Sequence, residues 1–260
     1  TVGCLGGLFT LSSCTAPTNV KDYSAYVNPF IGTGGHGHTF PGAVVPHGMI
    51  QPSPDTRIDG WDACSGYYYA DSTINGFSHT HVSGTGCCDY GDVLLMPTVG
   101  KQQYRTTDPQ SQRLAYASSF SHKNEIAEPG YYSVFLDTYQ VKAEISSTKR
   151  GAIHRYTFPE NTESGFIIDL DYSLQRQTNS EMEIEVISDT EICGHKKTTY
   201  WAFDQYINFY AKFSKPFSYT LVTDSITMDN GKRLPVCKAL LHFNTCLLYT
   251  SPSPRDKRQS

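Results

Sequence analysis

Residues 131–158 have the sequence YYSVFLDTYQVKAEISSTKRGAIHRYTF, and this stretch decides the fold class. Short runs rich in Val, Ile, Tyr and Phe are separated by turn-forming residues, which is typical of antiparallel strands joined by tight connections. Similar runs extend in both directions, from VLLMPTV at 93–99 to KALLHF at 238–243, with no helical periodicity sustained over three turns. The pattern predicts an all-β fold, a large antiparallel β-sandwich of about ten or more strands.

Two carboxylates, Asp169 and Asp171, share one face of the predicted strand in FIIDLDYS at 166–173. A carboxylate pair could perform acid–base chemistry. The alternation with Ile168 and Leu170 favours instead a solvated sheet face or a loop-stabilising role.

The region before these strands has a different composition. Residues 31–91 contain 12 of the 21 glycines and five of the nine histidines. We expect long, ordered, Gly-rich loops with short strands here. Loops of this length inside a compact domain are usually functional, and glycine lets a backbone approach a ligand closely.

Composition excludes several classes of protein. The chain has 260 residues, a net charge of −4 and 18% charged residues, below the roughly 25% usual in soluble domains. The low charge excludes a charge-extended disordered chain. No strongly basic stretch interrupts the ordered region, which argues against a nucleic-acid partner. No run of ~20 apolar residues is present, so no segment is expected to span a membrane.

Both ends of the chain differ from the rest. Residues 1–14 resemble a truncated bacterial lipoprotein signal peptide, whose lipobox ends at Cys14, the expected lipidation site. Residues 15–26 are expected to form a linker, and residues 246–260 resemble translated vector sequence. We therefore expect a folded domain at 27–245 and a natural protein that continues beyond it. The lipid on Cys14 would be the only membrane contact, in the bacterial envelope, and a periplasmic location is favoured over the cell surface.

The cysteine count argues against a full disulfide framework. Of eight cysteines, Cys4 lies in the signal region, Cys14 is the lipidation site and Cys246 is in the vector-like tail. The odd number that remains leaves one bridge possible without choosing the pair. These five are Cys64, Cys87, Cys88, Cys193 and Cys237.

Three segments carry a specific resemblance: VNPFIGTGGHGHTFPGAVVPHGMIQPSPDT, GWDACSGYYYADSTINGFSHTHVSGTGCCDYGDVLLMPT and HRYTFPE. From about residue 27 to residue 244 the chain resembles the N-terminal domain of glycoside hydrolase family 92. The resemblance implies a supersandwich like that of galactose mutarotase, followed by an (α/α)₆ catalytic domain. It further implies a calcium-dependent, exo-acting and inverting α-mannosidase.

An inverting mechanism needs one carboxylic acid and one carboxylate base, ~6.5–9.5 Å apart. The resemblance implies that both, with most of the calcium ligands, lie in the C-terminal domain, so no catalytic residue and no metal ligand is expected in this chain. The implied partners are that domain and α-mannoside glycans. The expected substrates are the ends of N-glycans or mannans, with α-1,2 as the commonest linkage.

The resemblance places Trp61 and its neighbours at the sugar pocket. A tryptophan ring can stack on a sugar while the Asp62 carboxylate accepts hydrogen bonds from hydroxyls; alternatively, Trp61 packs the loop onto the sandwich. Arg57 could bind hydroxyls or pair with Asp62, or remain a solvated charge. Phe30 and Cys64 are further candidates for the pocket, although Phe30 could equally pack at a strand end.

The histidines also suggest a zinc site. His79 and His81 would project to one face of a strand and could face the sugar cleft. The spacings match no standard zinc pattern, so hydrogen bonds that hold the loops are favoured. The group considered comprises His36, His38, His47, His79 and His81 with Cys87, Cys88 and Asp89.

Two other functions remain open. A non-catalytic carbohydrate-binding sandwich predicts a genuine stop after residue 245, whereas a mannosidase predicts a long continuation. A sugar mutarotase or epimerase predicts activity on free sugar from this chain alone.

Overall fold

The computed structural model of the chain describes residues 22–106, 110–160, 163–176, 178–227 and 233–244. Cys14 and the vector-like tail therefore lie outside the described residues. Within these ranges the chain forms fourteen strands: β1 Ser53–Asp55, β2 Thr73–Ile74, β3 Gly76–Ser78, β4 Leu94–Val99, β5 Ser118–Glu128, β6 Tyr131–Leu136, β7 Val141–Ser147, β8 Ala152–Thr157, β9 Glu163–Asp169, β10 Thr178–Val186, β11 Glu191–Thr199, β12 Gln205–Lys212, β13 Ser218–Thr227 and β14 Arg233–Asn244.

Three antiparallel sheets contain all of these strands, which confirms the predicted all-β class. A six-stranded sheet has the order β1-β3-β4-β9-β14-β13, a five-stranded sheet the order β2-β5-β6-β7-β8, and a three-stranded sheet the order β10-β11-β12. Three 3-10 helices, at Ser24–Tyr26, Trp61–Ala63 and Leu174–Arg176, interrupt the loops. None of the helices in the described part of the chain has the length and hydropathy needed to cross a bilayer.

The six-stranded sheet is the middle layer of the molecule. Ile167 of β9 belongs to the core shared with the five-stranded sheet, whereas Phe166 and Ile168 belong to the core shared with the three-stranded sheet. On β14, Leu240 and Leu241 divide between the same two cores. This two-sided burial explains the continuous apolar runs in both strands, because each fully buried side chain contributes about 1.5–3 kcal/mol to stability.

Two strand predictions need correction. β5 is 11 residues long, yet it was not predicted, because SSFSHKNEIAE is largely polar and contains one β-branched aliphatic residue. Its pairing with β2 and β6 overrides this low strand propensity. The run KTTYWAF at 197–203 predicts a strand, but β11 ends at Thr199, because the chain turns back and the Tyr200 amide donates to the Ala202 carbonyl at 3.3 Å.

The predicted solvated face at Asp169 is also wrong. Asp169 is only 1% exposed at the end of β9, and both it and Asp171 contact the Nζ of Lys238 on β14. A β-strand buried on both faces has no solvated side, so this carboxylate requires a charged partner inside the protein.

The Gly-rich region has the predicted organisation of long loops and very short strands. β1 and β3 form the edge of the middle sheet, and the 3-10 helix Trp61–Ala63 lies in the loop between β1 and β2. The candidate residues are therefore carried by loops attached to a rigid sheet edge, where functional side chains are commonly found.

Candidate functional site

Hydrogen bonds to the backbone, two of them from cysteine thiols, fix the loop that carries Trp61 and Asp62. Gly60 has φ +96°, a conformation that favours glycine, and the Ala63 amide donates to its carbonyl at 3.1 Å. The Cys64 thiol donates to the Trp61 carbonyl at 2.9 Å, and the Cys88 thiol lies 3.4 Å from the Gly60 carbonyl. Burial raises the pKa of both thiols, which keeps them protonated as donors.

Trp61 projects outward from this support and is 59% exposed. Its ring meets His38 edge to face, with ring centroids 5.1 Å apart. On another side the ring lies against Gly86, where a Cβ would come within 2.6 Å of the indole. The indole is therefore held in place while much of its surface stays open, an arrangement suited to stacking on a ligand.

Asp62 lies at the centre of a polar cluster. Its Oδ1 is 2.8 Å from Nδ1 of His36 and 3.7 Å from Nε2 of His38, and its Oδ2 is 4.0 Å from Nη1 of Arg57. The hydrogen bond from His36 is the main cause that lowers the pKa of this carboxyl. Asp62 is thus an ionised hydrogen-bond acceptor beside the exposed indole.

Arg57 makes its bidentate pair with Asp71, not with Asp62 as the sequence suggested. Its Nε and Nη2 donate to the two Asp71 oxygens at 2.9 and 3.0 Å, and the guanidinium stacks 3.7 Å above the centre of the Tyr68 ring. The pair and the stack fix the guanidinium. One edge still faces Asp62, so a ligand hydroxyl near Asp62 would also lie near Arg57.

Two other predicted pocket residues have supporting positions. Cys64 is buried beneath the Trp61 loop, where its thiol bonds the backbone. Phe30 is partly buried and packs edge to face on Tyr69, with ring centroids 5.7 Å apart. Cys64 therefore supports the loop, and Phe30 packs against a neighbouring ring.

His79 and His81 do not join this cluster. Both follow the end of β3, outside any strand, so the expected projection from one strand face does not occur. His81 has a fully buried side chain whose Nδ1 donates to the Gln51 carbonyl and whose Nε2 contacts the Asp55 carboxylate, both at 2.7 Å. The Nδ1 of His79 donates to the Val93 carbonyl at 2.7 Å. Both rings hold loops together, as the alternative interpretation predicted.

Sequence reasoning missed the residues that support the site. Asp71 and Tyr68 anchor Arg57, and Gly86 makes room for Trp61, but each is an ordinary loop residue in the sequence. The Gly-rich composition of residues 31–91 indicated close backbone approaches in general. It gave no signal for the particular pairs.

Comparison with known proteins supports the family resemblance. The glycosyl hydrolase family 92 N-terminal domain matches residues 26–246. A solved family GH92 α-mannosidase of Bacteroides thetaiotaomicron, in complex with mannoimidazole, is 36% identical with a TM-score of 0.76, over 85% of this chain and 30% of that one. A solved GH92 inverting mannosidase of the same species is 25% identical with a TM-score of 0.61, over 86% of this chain and 30% of that one.

A curated relative is an uncharacterized secreted glycosidase of Arthroderma benhamiae. It is 32% identical over 143 residues, which are 54% of this chain and 18% of that protein. The chain thus spans less than a third of the length of these relatives. It belongs to glycosyl hydrolase family 92, and the part that matches is the family's N-terminal domain.

Proposed function

We propose that the chain forms one wall of the sugar pocket of an exo-acting, inverting, calcium-dependent α-mannosidase. Trp61 stacks on the sugar, Asp62 accepts hydrogen bonds from its hydroxyls and Arg57 donates to them. A further C-terminal domain of the longer protein supplies the catalytic acid and base. The proposed substrates are α-mannoside ends of N-glycans or mannans, with an α-1,2 linkage.

One observation carries this proposal: a 59% exposed tryptophan stands next to an ionised carboxylate and a fixed guanidinium. Tryptophan is highly buried on average, whereas this indole is exposed although His38 and Gly86 hold it on two sides. The two solved relatives are a GH92 α-mannosidase and a GH92 inverting mannosidase, which supports the reaction class. In the alternative, a non-catalytic module, the same surface would bind sugar without turnover.

The donor set at this site does not fit calcium. Ca²⁺ takes six to eight oxygen ligands, whereas the cluster around Asp62 offers two imidazoles and one carboxylate. We therefore assign the proposed calcium to the further domain and derive no step through it here.

The same proposal includes a location for the protein in the bacterial cell envelope. Cys14 would be the lipid attachment site of a bacterial envelope protein, which suits an enzyme that meets glycans outside the cytoplasm. Export is also supported by the relative described as a secreted glycosidase.

Replacement of Trp61 tests the proposal. The gene is recovered and sequenced across the codon for Thr245, and the complete enzyme is assayed on an α-1,2-linked mannobiose. Trp61→Ala should lower kcat/KM by about tenfold or more, equivalent to about 1.4 kcal/mol of transition-state binding. The melting temperature should stay unchanged, because much of the indole is already exposed.

Trp201 provides a matched control. It is the other tryptophan of the chain and is 68% exposed in the turn after β11. Trp201→Ala should leave kcat/KM unchanged. A large fall in melting temperature for Trp61→Ala with unchanged kinetics would show instead that Trp61 packs the loop. A genuine stop codon after residue 245 would favour the carbohydrate-binding module.

A further inference from the structure

The Nε2 atom of His38 is a buried nitrogen with no hydrogen-bond partner in the part of the chain that the structure describes. The side chain is 5% exposed, and its Nδ1 lies 2.8 Å from the Thr85 carbonyl. A carbonyl oxygen only accepts, so Nδ1 carries the proton and Nε2 of the neutral ring presents a lone pair. Among the described residues nothing donates to that nitrogen.

This lone pair points towards a second acceptor. The Asp62 Oδ1 atom is 3.7 Å from His38 Nε2, so two electron-rich atoms face one another. A proton on Nε2 would give an ion pair with Asp62, but 3.7 Å is too long for a hydrogen bond. A cation bound between the two atoms would satisfy both of them.

His36 adds a third possible ligand atom to the same place. Its Nδ1 donates a hydrogen bond to Asp62 Oδ1 at 2.8 Å; in the tautomer that carries its proton on Nε2, Nδ1 presents a lone pair instead. One possible ligand atom from each of the three residues lies within 4.8 Å of the others. A tetrahedral zinc ion has bonds of about 2.0–2.2 Å to nitrogen and oxygen, which separates its ligand atoms by roughly 3.3–3.5 Å. The observed 2.8 and 3.7 Å bracket that separation. The His36 ring is 74% exposed and is free to make the small adjustment.

His38 donates its Nδ1 hydrogen to the Thr85 carbonyl, which is the kind of contact that metal-ligating histidines make. Such rings commonly donate their other nitrogen to a backbone carbonyl, which fixes both tautomer and orientation. The loop itself is tightly folded: the Gly37 amide donates to the Gly34 carbonyl, and a Cβ on Gly37 would come within 2.3 Å of the Gly32 carbonyl. These backbone contacts restrict the position of His38.

We propose that His36, His38 and Asp62 form a binding site for a divalent transition-metal ion of the zinc class. Two imidazoles and one carboxylate suit Zn²⁺ or Co²⁺ and not Ca²⁺, which prefers oxygen ligands. Three protein ligands leave one position of a tetrahedral ion open, which a water molecule or a sugar hydroxyl could occupy. The site does not depend on the proposed reaction, because binding of the ion alone can be measured. The zinc group considered from the sequence contained both histidines but not Asp62, which stands far along the chain from them.

Metal titration of the 260-residue chain, prepared without a polyhistidine tag, tests the site. Isothermal titration with ZnCl₂ should show one equivalent bound, and CoCl₂ should give the visible absorption of tetrahedral Co²⁺. His38→Gln and Asp62→Asn should each weaken zinc binding by about tenfold or more. Excess calcium should not displace the ion.

Two controls separate this site from other zinc ligands. His47→Asn changes an exposed histidine outside the cluster and keeps a residue that tolerates its positive φ; it should bind zinc unchanged. A Cys87→Ser variant should also bind zinc unchanged, because this partly exposed thiol does not belong to the proposed site. Circular dichroism confirms that each variant keeps its strand content.

The proposal would be overturned if the folded chain failed to bind zinc, or if the His38 and Asp62 variants bound zinc as well as the unaltered chain. Loss of zinc binding only in the cysteine variant would also overturn it. Mannose binding that persists in EDTA, in a chain that binds no zinc, would show that a sugar hydroxyl donates to His38 instead.

Discussion

At the scale of single residues, the buried ammonium group of Lys238 is the counter-ion of two carboxylates, Asp169 and Asp171. The β9–β14 register places it opposite Asp169, and its Nζ contacts the carboxylates of Asp169 and Asp171. Burial alone would raise the pKa of Asp169, but the ammonium group and the hydrogen bonds lower it. Burial and the neighbouring Asp169 charge raise the pKa of Asp171. The Lys238 ammonium group therefore serves as the counter-ion of this carboxylate pair.

Removal of that ammonium group should destabilise the fold strongly. We expect Lys238→Met to lower the free energy of unfolding by about 3–5 kcal/mol, because it leaves buried carboxylates without a counter-ion. Urea denaturation at neutral pH measures the effect. Lys212→Met, which removes an exposed ion pair with Glu191, should cost less than about 1 kcal/mol. Equal effects of the two substitutions would contradict this account.

At the scale of elements, a chain of hydrogen bonds joins β8 to the loop after β3. The Nδ1 of His79 donates to the Val93 carbonyl, so its Nε2 accepts from the Nε2 of His154 at 3.1 Å. The Nδ1 of His154 then accepts from the Tyr156 hydroxyl at 2.9 Å. This arrangement needs both rings neutral. Burial lowers the pKa of His79, and burial together with His79 lowers the pKa of His154 well below 6.5.

The fold should therefore lose stability in mild acid. The unfolded chain takes up protons below about pH 6.5 while the folded rings remain neutral, so the free energy of unfolding falls as pH decreases. Each such ring contributes up to about 1.4 kcal/mol per pH unit in that window. Urea denaturation between pH 8 and pH 5 should show a shallower slope for His154→Gln than for the unaltered chain.

A matched substitution on an exposed histidine checks this explanation. The His195 side chain is 42% exposed on β11, so His195→Gln should leave the pH slope of stability unchanged. Identical slopes for the unaltered chain and His154→Gln would show that the buried pair does not cause the acid sensitivity.

The elements differ in how far the sequence predicts them. The alternating run YINFYAKF predicts β12, whose Ile207, Phe209 and Ala211 pack against the second core. β5 could not be predicted, because its pairing partners and not its own side chains make it a strand. The burial of Asp169 could not be predicted either, since local alternation does not show that a sheet is covered on both faces.

At the scale of the whole molecule, three layers place the candidate site at one edge of the middle sheet. The fold class could be predicted because the rhythm of short strands is visible along the chain. The motif resemblance pointed to Trp61, Asp62 and Arg57, and the fold places Arg57 4.0 Å from Asp62. Long-range pairs such as His36 with Asp62, 26 residues apart, could not be predicted, because only the folded loops bring them together.

The whole chain also carries a prediction about its own activity. An inverting glycosidase needs a protonated acid and an ionised base about 6.5–9.5 Å apart. At the candidate site the pKa of Asp62 is lowered, so this carboxyl is poorly suited to act as a general acid. The Asp71 carboxylate accepts two hydrogen bonds from Arg57 and is therefore not available as the base. We expect the 260-residue chain to release no 4-nitrophenol from 4-nitrophenyl α-mannoside, with or without calcium.

The complete enzyme in the same assay is the positive control. It should show calcium-dependent turnover that is absent from the isolated chain. Calcium-dependent turnover by the purified chain would mean that its own carboxylates are catalytic, and the proposed assignment of the acid and base to a further domain would be wrong. Mannose binding by the inactive chain, weakened by Trp61→Ala, would instead show that this domain contributes affinity while the second domain contributes the chemistry.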